Sequence, residues 1–159
     1  KQLADDALAA PSPKRPSLTA DLPSMNGLRV LLAEDNEANR ELAVAYLAKL
    51  GCEVATAKNG QMALERVQEQ PFDVVLMDMQ MPVLSGSEAT RAIRALNGEV
   101  SGIPIIALTA NAMKADIERC REAGMHDFVA KPMRIGDLAR ALSPFIVCID
   151  APVERRVRA

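Results

Sequence analysis

The sequence has only one histidine and three cysteines, an odd number set far apart along the chain. Cys52, Cys120 and Cys148 are widely spaced and match no ligand or redox motif. They read as small apolar residues kept in a reducing compartment. His126 stands between Gly124 and a short apolar run, a place that suits a surface loop. No apolar run approaches the roughly 18 residues that span a bilayer. Residues 1–26 lack the apolar core of a secretion signal. A basic surplus is missing too: the net charge is −2, which counts against nucleic acid as the main partner. Arg155, Arg156 and Arg158 form too short a run to alter that.

What is present is an ordinary soluble composition. Of the 159 residues, 49% are apolar and 25% charged, enough for one domain with tails. Residues 1–26, with prolines at 11, 13, 16 and 23, read as a linker. Residues 27–146 read as the domain and residues 147–159 as a frayed tail. A start at Lys1 rather than Met suggests a piece excised from a longer chain.

Within the domain, short apolar runs alternate with helical patterns. The expected strands are Leu28–Ala33, Cys52–Ala57, Phe72–Met77, Pro104–Leu108 and Asp127–Ala130. The expected helices are Asn36–Leu50, Gly60–Gln70, Gly86–Leu96, Met113–Ala123 and Ile135–Phe145. Spacing puts Ala38, Leu42, Tyr46 and Leu50 on the inner face of the first helix. It puts Met113, Ile117 and Cys120 on that of the fourth. Nearly continuous apolar strands separated by helices predict an α/β fold with a parallel sheet covered on both faces.

Ligands of such sheets bind beyond the carboxyl ends of the strands. The first strand is followed by Glu34 and Asp35, the third by Asp78, the fourth by Thr109 and the fifth by Lys131. Lys58 and Asn59 follow the second strand and receive no role, because that strand is expected at the sheet edge. Three carboxylates on one rim repel one another and call for a counter-charge. Mg²⁺ suits an oxygen site that keeps waters for a phosphate to displace. Asp35 would also serve as a helix N-cap, and so would Thr109.

The segments Leu31–Asn39, Asp73–Gly86, Pro104–Ala110 and Lys131-Pro132 together resemble the receiver, or response-regulator, family. The resemblance covers about residues 27–145 and is closest to the C-terminal receivers of hybrid sensor histidine kinases. It implies a flavodoxin-like doubly wound sandwich, five parallel strands in the order 2-1-3-4-5 with five helices. It implies that Asp78 accepts a phosphoryl group from phosphohistidine. Glu34 and Asp35 would hold Mg²⁺ with Asp78 and the backbone carbonyl of Gln80. Lys131 would pair with phosphoryl oxygens, Thr109 would hydrogen-bond one of them, and Phe128 would be the switch aromatic. A cis peptide at Lys131-Pro132 is implied as well. The implied partners are a histidine-kinase phosphodonor domain, a histidine phosphotransfer protein, or both. The expected setting is cytoplasmic, without direct membrane contact, in a parent chain open to membrane anchoring elsewhere. The oligomeric state stays open.

A stand-alone receiver is the alternative context. A haloacid-dehalogenase-type aspartyl-phosphate hydrolase fits less well: that family places an acid/base Asp where Gln80 stands, and there is no room for a cap insertion. A flavin or dinucleotide carrier lacks its Gly-rich loop here, and Glu34-Asp35 would repel the phosphate. No ATP-binding kinase motif occurs, so output is expected from a partner or from the rest of the parent chain. The resemblance implies a domain that phosphorylates and dephosphorylates itself rather than turning over a substrate.

Overall fold

The computed structural model describes residues 25–110 and 113–145. Cys148, the 147–159 tail and residues 1–24 of the expected linker lie outside them. The elements are β1 (Arg29–Ala33), α1 (Glu37–Leu50), β2 (Glu53–Ala57), α2 (Gly60–Glu69), β3 (Val74–Asp78) and α3 (Gly86–Arg94). A 3-10 turn (Glu99–Gly102), β4 (Ile105–Thr109), α4 (Lys114–Ala123), β5 (Asp127–Ala130) and α5 (Ile135–Leu142) complete them. All strand pairs are parallel and the order is β2-β1-β3-β4-β5. The expected fold class and order hold. No described helix is long and apolar enough to cross a membrane.

The period-2 geometry of strands sorts the core onto two faces. Val30, Leu32, Val74, Leu76, Ile106 and Leu108 point to the side packed with residues of α1 and α5. Leu31, Ala33, Val75, Met77, Ile105 and Ala107 point to the side packed with residues of α2, α3 and α4. Every residue of β3 and β4 is buried, which is why these segments read as unbroken apolar runs. Each buried Leu or Ile contributes about 1.5–3 kcal/mol of transfer free energy.

Two helix faces differ from expectation. Helix α1 buries Ala43, Leu47 and Leu50, whereas Leu42 is 39% exposed and Ala38 is exposed. Its apolar residues run round much of the helix, so the large residues at i and i+4 picked a neighbouring stripe. Met113 is the N-cap of α4 and exposed and Ile117 is half-buried, so of the expected stripe only Cys120 is buried. The domain also begins earlier than composition suggested. Met25 is fully buried, and its amide donates to the Leu50 carbonyl at 2.8 Å.

Candidate functional site

Strand ends build the site. The sheet reverses direction of winding between β1 and β3, and there the crevice opens. Asp78 is the last residue of β3, opposite Leu108. Glu34 follows β1, tied to its edge by an amide donated to the Ala57 carbonyl at 3.0 Å. Asn36, not Asp35, caps α1 through its side chain and the Asn39 amide. Asp35 is therefore left on the rim. Thr109 ends β4 and is buried; α4 is capped four residues later, so Thr109 is no cap.

The oxygens of Glu34, Asp35 and Asp78 converge within 4.8 Å of one another. Glu34 and Asp78 are buried and Asp35 is exposed. Lys131 places its Nζ 3.0 Å from Glu34 Oε1 and 3.1 Å from Asp78 Oδ2. Glu34 Oε2 accepts the Asn36 amide at 3.1 Å. The wholly buried Glu34 Oε1 has Lys131 as its counter-charge. Two carboxylates more than the one ammonium leave a negative excess. A hard divalent cation offsets it, and the all-oxygen donor set fits Mg²⁺.

Asp78 shows the strain of this crowding. Burial, and next the facing Glu34 carboxylate, raise its pKa to about 7, against the pull of the Gln80 amide and Lys131. That amide donates to Asp78 Oδ1 at 3.2 Å. Lys131 is held charged by Glu34 and Asp78, although burial works against it. The Lys131–Pro132 peptide is cis, as expected.

The cleft has a volume of about 600 Å³. Besides Glu34, Asp35, Asp78, Gln80, Thr109 and Lys131, it is lined by residues that strand-end reasoning missed. Ser85 is one, and its signal was legible: Ser85 and Glu88 form a reciprocal capping box at the start of α3. Asp116 and Arg119 come from α4, and nothing in the sequence spacing announces them. Arg40 is another omission close by: its guanidinium donates to the Glu34 carbonyl at 3.0 Å and steadies the acidic turn.

Phe128 lies elsewhere. It is half-buried against the core face of α2, α3 and α4 and pairs with Ala107, while Thr109 pairs with Ala130. It is thus two residues below Thr109 on the same face, not its direct cross-strand neighbour. His126 is exposed, yet its Nδ1 accepts the Ile105 amide at 3.3 Å at the opposite end of the sheet. Met77 is core; Met79 and Met81 pack against it, as filler.

This fold and rim define a class. Residues 30–143 match the response regulator receiver domain model, and the chain belongs to that family. Over 111 residues it is 47% identical to hybrid signal transduction histidine kinase I of Dictyostelium discoideum, spanning 66% of this chain but only 6% of that kinase. The receiver domain of a Pseudomonas aeruginosa sensor histidine kinase, solved with magnesium in its active site cleft, is 43% identical with a TM-score of 0.70. That match covers 76% of this chain and 98% of the other. A chain from the co-crystal structure of the Saccharomyces cerevisiae phosphotransfer protein Ypd1 and the Ssk1 receiver domain is 28% identical, with a TM-score of 0.69. It covers 84% of this chain and 95% of its own length.

Proposed function

We propose that Asp78 accepts a phosphoryl group from a phosphohistidine, in a relay that belongs to a hybrid sensor histidine kinase. One observation carries this reading: three carboxylates, two of them buried, converge on one rim with a single lysine as their counter-charge. Glu34, Asp35, Asp78 and the Gln80 backbone carbonyl would hold Mg²⁺. Bound there, the cation neutralises charge on the carboxylates and on the incoming phosphate.

The chain's own residues do the rest. Asp78 Oδ attacks phosphorus, an O–P bond forms, and the P–N bond to the donor imidazole breaks. Lys131, already 3.1 Å from Asp78 Oδ2, follows the charge onto the phosphoryl oxygens. Thr109, at the cleft wall, offers its hydroxyl to one of them. Such transfer needs mainly positioning and charge neutralisation. Two relatives support the context: the kinase receivers at 47% and 43% identity. The Ypd1 complex supports a phosphotransfer protein as partner. A cytoplasmic setting follows from such a relay.

The test is labelling with acetyl phosphate and Mg²⁺, read by intact-protein mass. One base-labile phosphoryl group per molecule is expected. Asp78→Asn and EDTA should each abolish it, and label surviving Asp78→Asn would refute the assignment.

A further inference from the structure

The cleft that holds Asp78 continues outward to Asp116 and Arg119 on α4. These two side chains pair at 2.6 Å across one helical turn. Arg119 is 63% exposed and Asp116 23%, and an exposed pair of this kind adds little to stability. The described carboxylates lining the cleft are Glu34, Asp35, Asp78 and Asp116; the cations are Lys131 and Arg119. Lys131 is already committed, 18% exposed, between two carboxylates. Arg119 differs: it is exposed, lines the cleft, and among the described residues pairs with Asp116.

Any phosphodonor must bring a dianion into a cleft with a surplus of carboxylates. A guanidinium at the entrance offsets that repulsion and matches a phosphate with two parallel N–H donors. We propose that Arg119 is the capture residue for small acyl phosphates, exchanging Asp116 for the donor's phosphate as it enters. This rests on Asp78 as the acceptor. Once the donor is seated, an O–P bond forms at Asp78, the P–O bond to the acyl group breaks, and the carboxylate leaves with the electron pair. Arg119 touches the donor before and during entry and positions it; the bond-making atoms belong to Asp78.

The experiment follows phosphorylation by acetyl phosphate in Mg²⁺ at low and high salt, by intact-protein mass. At low salt, Arg119→Gln should lower the second-order rate about fivefold, in the range expected for lost steering by one charge. Arg119→Lys should keep most of the rate, and Asp116→Asn should raise it. In about 1 M salt, where the Debye length is near 3 Å, wild type and Arg119→Gln should converge. Thermal unfolding of Arg119→Gln should match wild type. Equal rates at low salt overturn the proposal, and so does a deficit that is the same at both salts. Asp78→Asn run in parallel separates the two readings: if it labels like wild type, the acceptor is wrong, whatever Arg119 does.

Discussion

Lys131 donates its backbone amide to the Thr109 carbonyl at 2.8 Å, so the β4–β5 ladder extends one step beyond β5. That bond aims the side chain across β4 toward Asp78 and Glu34. Lys131→Ala should therefore leave two buried carboxylates facing each other. In EDTA at pH 8 we expect a loss of about 3–5 kcal/mol in urea unfolding, shrinking at pH 5, where one carboxyl is protonated. Unchanged stability at pH 8 would show that the lysine is not their counter-charge.

The Asp78 carboxyl gives the metal-free protein a pH signature. Its pKa is raised to about 7 in the fold, first by burial and then by Glu34, against about 3.9 unfolded. The folded state holds the proton more tightly, so the contribution to stability is full below pH about 4 and is lost as pH rises through 7. Asp78→Asn should flatten this part of the stability profile in EDTA. A mutant profile parallel to wild type from pH 4 to 8 would remove Asp78 as its cause.

Val83 is held at φ 70 in a γ-turn closed by the Leu84 amide on the Pro82 carbonyl at 2.7 Å. A β-branched residue is disfavoured there, and 75% exposure means little packing is lost by truncation. Left-handed backbone costs an L-residue roughly 1–2 kcal/mol, and Gly gives back about 0.5–1 in chain entropy. Val83→Gly should stabilise the domain by about 0.5–1 kcal/mol in chemical denaturation. Destabilisation would mean that the side chain makes a contact worth more than the strain.

Phosphate at Asp78 should be felt at Phe128 through the β4–β5 pair. Because Phe128 faces Ala107, two residues below Thr109, the coupling must pass along that strand pair and not by direct exchange of space. With beryllofluoride, wild-type amide resonances of β5 should shift. Thr109→Ala should bind the mimic and shift less at Phe128. A full shift in the mutant would break the coupling while sparing the phosphosite.

The rim was legible in the sequence because a parallel sheet delivers whatever follows each strand to one edge. Glu34, Asp35, Asp78, Thr109 and Lys131 needed only that rule. The face of α1 was not legible, since alanines and leucines occupy adjacent stripes and only tertiary packing chooses between them. Asp73 was missed for another reason. It is buried and accepts the Arg29 amide at 2.8 Å, a partner 44 residues away. Arg94 is similar: its guanidinium donates to the carbonyls of Gly124, Ser101 and Ile103, and burial lowers its pKa. Long-range backbone partners leave no periodic trace.

Gly86 approaches the nucleophile's own backbone so closely that a Cβ there would lie 2.2 Å from the Asp78 carbonyl oxygen. Its amide also donates to the Met79 carbonyl at 3.1 Å. The loop from Gln80 to Ser85 is thus stitched at both ends to the strand it leaves. For anyone building chimeras between signalling proteins, Asp78 through Gly86 is one transplantable cassette. A donor loop ending in any residue with a side chain would dislodge the very strand end it was meant to serve.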